Sequence, residues 1–146
     1  MAITTNAICN SFKKELLEGK HDFAQTSGDQ FKLALYTSSA TLGKSTTSFT
    51  TDNQVNNTGK YTSGGGKIAK STQNTSVASD VAIVDFGNLS FTGVTLVAKG
   101  ALIYNTSNSN SAVCVLDFGG DKTATAGTFT IQFPAFTTSA AILRIS

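Results

Sequence analysis

The hydrophobic period changes once along this chain, and that change limits what it can fold into. Over residues 6–18, Ile8, Phe12 and Leu16 recur every four residues, with Cys9 and Leu17 widening the stripe. That is one face of an amphipathic helix. Asn6 stands where an N-cap belongs and Gly19 where a helix stops. From Phe31 the period becomes two: in "FKLALYT", Phe31, Leu33 and Leu35 take one face and Lys32, Ala34 and Tyr36 the other. The same alternation runs through "VAIVDF" (81–86), "LSFTGVTL" (89–96), "AKGALIYN" (98–105), "AVCVLDF" (112–118), "TFTIQF" (128–133) and "AAILRI" (140–145). The links are rich in turn residues: "GN", "TSNSNS", "GGDKTATAG" and "PAFTTS". Successive strands with no helical segment between them pair antiparallel. The expected fold is mainly β: an antiparallel β-sandwich or compact barrel with one N-terminal α-helix packed on a sheet.

A chain of 146 residues reads as one domain, 1–146. The helix covers 6–18 and the main strands 81–145. Between them, residues 37–80 are dense in Ser, Thr, Asn and Gly, with "SGGGK" at 63–67 as a turning point and weak strands near 60–72. A loop this long is uncommon in a compact domain unless it is functional or disordered. Its composition therefore predicts an interaction arm. The spaced apolar residues Phe49, Val55, Tyr61 and Ile68 are candidate contacts, able to dock on a neighbouring subunit or to fold back on the sandwich.

Composition excludes several function classes. Charged residues are 14% of the chain, and Ser, Thr and Asn make up about a third. The hydrophobic fraction of 40% and ten Phe are too many for disorder. Net charge is +2 and Arg144 is the single arginine, so the basic stripe of a nucleic-acid binder is missing. Lys13, Lys14 and Lys20 are interleaved with Glu15, Glu18 and Asp22, as on a solvated helix face. The start "MAITTNAICNSFKK" lacks the pattern of a signal peptide, and no apolar run approaches a membrane span. The expectation is synthesis in a cytoplasm with no membrane partner. Cys9 and Cys114 read as two buried thiols; spacing alone leaves a bridge between them open.

The catalytic motifs fail one by one. Asp-Phe-Gly occurs at 85–87 and 117–119, the triplet with which protein kinases hold magnesium. A kinase also needs a glycine-rich loop, a Lys–Glu pair and a His-Arg-Asp loop, and this chain has one histidine and one arginine, far apart. Both triplets read as ways of leaving a strand: Phe closes the core, Gly permits the turn and Asp accepts hydrogen bonds. "GKYTSGGGKIAKS" departs from a phosphate loop, with Tyr61 in place of its first Gly and Ile68 in place of its Ser or Thr. His21 has no nucleophile at hand and is expected to meet free carbonyls past the helix end. Asp117 and Asp121 are too few for a calcium site, and Lys122 adjoins them. No catalytic residue, metal or cofactor is expected.

"AICNSFKKELLEGKHDF" (7–23), "FKLALYTSSATLG" (31–43), "TGKYTSGGGKIA" (58–69), "AKGALIYN" (98–105), "AVCVLDFGGDKTATAGTFTIQFPA" (112–135) and "AAILRI" (140–145) together resemble a family of small virion structural proteins of tailed bacteriophages, of the type common in marine phages. The resemblance runs end to end. It implies a non-enzymatic cement or decoration protein on the outer capsid surface. The major capsid protein would be its partner, with self-association on the virion. The alternative is a head-fibre, tail-fibre or spike domain adhering to host-surface glycan; the absence of Trp weighs against sugar stacking. An enzyme such as a small hydrolase has no support in these residues.

Overall fold

One long hairpin dominates the computed structural model, which describes residues 3–69 and 73–146. The elements in chain order are β1 (Ala7–Ile8), α1 (Asn10–Leu17), β2 (Phe31–Tyr36), β3 (Gly66–Ile68), β4 (Asn74–Ala78), β5 (Val81–Asp85), β6 (Leu89–Asn105), β7 (Ser111–Ile131) and β8 (Leu143–Ile145). They form two sheets, β1-β7-β6-β2-β3 and β4-β5-β8, with antiparallel pairing throughout. The fold is a mainly β, antiparallel sandwich with one short N-terminal helix. That helix is not long enough to cross a membrane.

β6 and β7 each join two segments that the sequence separates. "GGDKTATAG" is strand, not link. Ala124 is buried between the exposed Thr123 and Thr125. The ladder is interrupted instead. Ala98 pairs with Lys122 and Gly100 with Asp117, so residues 118–121 stand opposite Lys99 alone. Such a bulge bends and twists the pair. Beyond it, the outer half of the hairpin lies over β3: Phe91 meets the Tyr61 ring edge-on at 4.9 Å, and Leu89 and Phe91 lie directly over Gly66. The turn at 106–110 holds Ser109 and Asn110 at positive φ.

The helix is shorter than its apolar stripe. Ala7 and Ile8 pair with Val115 and Cys114 as an edge strand, and the helix begins at Asn10 with no side-chain cap. Asn6 caps nothing in the helix. Its Oδ1 accepts the Asp117 N–H at 2.6 Å. The C-terminal end follows expectation: Gly19 has φ +71°, Gly19 N–H donates to Leu16 O and Lys20 N–H to Glu15 O. These are the two bonds of a Schellman stop. Phe12 is buried, and Ile8 and Leu16 pack against the core. Leu17 does not widen the stripe; it is 91% exposed.

β2 is buried on both faces, its alternate side chains Ala34 and Tyr36 as deep as Leu33 and Leu35. Residues 37–69 are not an extended arm. A chain of 15.2 kDa folded compactly exposes about 7,100 Å², and this one exposes 7337 Å². The difference is too small for a segment of that length held away from the body. β3 falls in the window where weak strands were expected; residues 70–72 lie outside the described residues.

Candidate contact surface

Of the four residues expected to anchor an arm, three are components of the core and the fourth packs against it. Tyr61 is fully buried, Ile68 and Val55 nearly so, and Phe49 is half-buried with its ring stacked on Tyr104 at 4.6 Å. Of the two alternatives, docking outward or folding back, the structure takes the second. The cause is the edge of β2. β3 pairs only with its first half, Phe31, Lys32 and Leu33. Further along, the Tyr61 hydroxyl accepts the Leu35 N–H at 2.8 Å, and Val55 N–H donates to Leu35 O at 2.9 Å. Gln54 bridges Tyr36, and its Oε1 accepts both the Tyr61 hydroxyl (3.1 Å) and the Gly64 N–H (2.6 Å). Loop and side chain thus finish an edge that no strand covers, as buried backbone polar groups require.

All three tyrosines serve this segment. Tyr36 donates to Thr50 O and Tyr104 to Gly64 O, each at 2.6 Å. Burial pushes the Tyr61 and Tyr104 hydroxyls up to about 12 and raises Tyr36 as well. The "SGGGK" stretch works here through its backbone. Gly65 has φ +79°, and a Cβ on it would lie 1.8 Å from Leu33 O.

The two Asp-Phe-Gly triplets sit in different places. Asp85 ends β5 and is buried. Its Oδ1 accepts the Phe86 N–H at 2.9 Å, its Oδ2 has no partner among the described residues, and burial raises its pKa. Asp117 does not end a strand; it opens the β7 bulge. Lys99 pairs with it, Gly119 N–H donates to the same Oδ1, and both hold its pKa down. Phe86 joins the Phe23–Phe31–Phe133 cluster and Phe118 lies against Phe129. Each triplet leaves the regular ladder, one at a strand end and one within a strand.

His21 meets side chains, not helix carbonyls. Its ring is buried, with Nε2 2.7 Å from Glu15 Oε2 and Nδ1 3.0 Å from Asn105 Nδ2. Asn105 Nδ2 also donates to Asp29 Oδ2 at 2.7 Å, and its Oδ1 accepts Ser107 N–H at 2.9 Å. Those two bonds fix the amide, so Nδ1 accepts and Nε2–H donates to Glu15. The imidazole clamps α1 to the end of the long hairpin, with Phe12 against its face at 4.8 Å. Sequence reasoning misses this network because its members are distant in the chain. Cys9 and Cys114 are buried free thiols. Among the described residues, no three His, Cys, Asp or Glu side chains gather as metal ligands do.

The surface feature that stands out lies between α1 and the smaller sheet. A groove of about 320 Å³ runs between Phe12, Leu16 and Leu17 on one side and Ala82, Val84, Leu143 and Ile145 on the other. Register extends it. Val77 pairs with Ala82, and Ala82 with Ile145, so the three share one face. Leu143 is buried, Ile145 is 58% exposed and Val77 71%. The face runs out of the core into solvent beside Leu17. Of the five large exposed apolar residues among the described residues, three stand here. A larger groove beside the bulge holds Asp117 and Lys122, charges of both signs; Asp117 is already engaged within the fold.

No family model, no curated protein and no solved structure matches this chain.

Proposed function

We propose that the chain is a non-enzymatic structural protein of a tailed-bacteriophage virion, a cement or decoration protein on the outer surface of the capsid. The end-to-end resemblance noted above supports this. The observation that carries it is a division of labour among the side chains. The groups with catalytic potential, His21, Asp85 and Asp117, are engaged within the fold, while Leu17, Val77 and Ile145 leave apolar surface exposed at one edge. A rigid sandwich with hydroxyl-rich outer faces and one apolar edge suits adhesion to a shell. Such a protein stabilises by contact area that exists only in the assembled particle.

The glycan-binding alternative has less in its favour. Sugar stacking wants exposed aromatic rings, and Phe136 is the one aromatic side chain in the exposed class. The two readings differ in copy number. Quantifying the chain against the major capsid protein in purified particles should give amounts of the same order. A small fraction of that amount, located on fibres, would replace the cement reading with the alternative.

A further inference from the structure

We infer that the outer edge of β4 pairs with the same edge of a second copy of this chain, joining the two smaller sheets into one continuous sheet. The pairing does not rest on the virion reading, and the free chain tests it.

β4 is the least protected edge in the fold. It ends its sheet, and among the described residues nothing pairs with 75–78 on the far side. All five of its residues are exposed, and its ladder to β5 runs from Asn74↔Asp85 to Ala78↔Val81 without a shift. Neither a charge nor a proline interrupts Asn74–Ala78. A flat, uncharged edge of this kind is a template for another strand. The other edges are short or irregular. β1 has two residues, and β3 and β8 have three each, with Lys67 and Arg144 at their centres. The free side of β7 is broken by its bulge, by Lys122 and by Ala126 at φ +46°.

Sequence and symmetry choose the occupant. In a pair of antiparallel strands related by a twofold axis normal to the sheet, each contact occurs twice and opposed residues share a face. Full overlap of the five residues then sets Ser76 against Ser76 of the second copy, and Thr75 against Val77 in both directions. Hydroxyl meets hydroxyl, and a pair of β-branched side chains forms twice, which suits cross-strand neighbours. Val77 is 71% exposed and has Ala82 beside it on one side; Thr75 of the second copy fills the other. No charge on the strand meets its own equivalent, and none selects an acidic or a basic partner instead. Five paired residues make a small interface, so the association is weak.

Sedimentation equilibrium of the free full chain, up to millimolar concentration, is the test. The wild type should dimerise reversibly. Ser76→Lys and Ser76→Glu each set like charges face to face on the axis, and each alone should associate about tenfold more weakly or worse. An equimolar mixture of the two should dimerise at least as tightly as the wild type, which also shows that both variants fold. Thr123→Lys adds the same charge at an exposed position of β7 and should dimerise like the wild type. A wild type that stays monomeric overturns the inference. So does a dimer indifferent to both Ser76 variants, since it lies at another surface. A mixture as weak as either variant alone, or an equal loss with Thr123→Lys, overturns it as well.

Discussion

The hydroxyl of Tyr61 accepts the backbone N–H of Leu35 at 2.8 Å, a side chain standing where a neighbouring strand would be. This contact turns the polar stretch 50–65 from an arm into the finished edge of a sheet. Tyr61→Phe keeps the ring and its contact with Phe91 but leaves the buried Leu35 N–H without its partner, while Gln54 Oε1 keeps the Gly64 N–H. A buried donor left unsatisfied costs about 1–3 kcal/mol. Urea unfolding should show a loss of that size with an unchanged slope. No loss would mean that the segment adds nothing to the edge.

Alkali should attack the same three hydroxyls. The folded-state pKa of each tyrosine is raised by burial, so its contribution to stability is complete below the ordinary tyrosine range near 10. It is lost as pH rises through the folded values, about 12 for Tyr61 and Tyr104. Between those limits stability should fall. Tyrosinate absorbance should then appear in one step together with loss of the β signal in circular dichroism. Gradual ionisation of a folded chain would contradict the assignment.

The two Asp-Phe-Gly aspartates should show opposite pH signatures. Asp85 has a raised pKa, so its favourable contribution is present at low pH and is lost as pH rises through the folded value. Asp117 has a lowered pKa, so its contribution is present above the ordinary carboxylate range and is lost as pH falls through the depressed value. Relative to the wild type, Asp85→Asn should gain stability as pH rises from acid to neutral, and Asp117→Asn should lose it. The Asp117 loss should stay under about 1 kcal/mol, as for a pair near the surface. Thermal midpoints across that pH range give both slopes; slopes of the same sign would sink the argument.

Two glycines with similar φ should respond very differently. Gly119 at φ +82° has nothing within 4 Å of a built Cβ, so Gly119→Ala should cost only the left-handed strain, about 1–2 kcal/mol. Gly65→Ala adds a collision with Leu33 O and should prevent folding, or cost several kcal/mol more. Equal effects would mean that the loop at 63–67 yields freely.

The part of the fold that periodicity governs is legible in the sequence. The switch from four to two after the helix gives one helix and a β domain, and "GN" and "TSNSNS" mark true links. The losses have physical causes. Residues 37–65 have no periodicity because single residues anchor them: Tyr61 fills a gap in an edge, Gln54 ties the turn, and Phe49 stacks on Tyr104. An apolar residue spaced for docking looks the same in sequence as one spaced for burial. The bulge in β7 hides because Gly and Asp signal a turn whether or not the chain reverses. Leu17 fits the helix stripe by spacing, yet the smaller sheet leaves it uncovered. The contact surface depends on Val77, Ala82 and Ile145 standing in one row, and only the register of three strands brings them together.

Hydrogen exchange on the chain, free and bound to shells, tests most directly whether residues 44–61 belong to the folded body and the edge beside α1 is the contact surface. The account predicts that residues 44–61 are already protected in the free chain and unchanged on binding, while 13–17, 77–84 and 143–145 gain protection. Fast exchange of 44–61 in the free chain, with protection gained only on the shell, would contradict it and restore the arm.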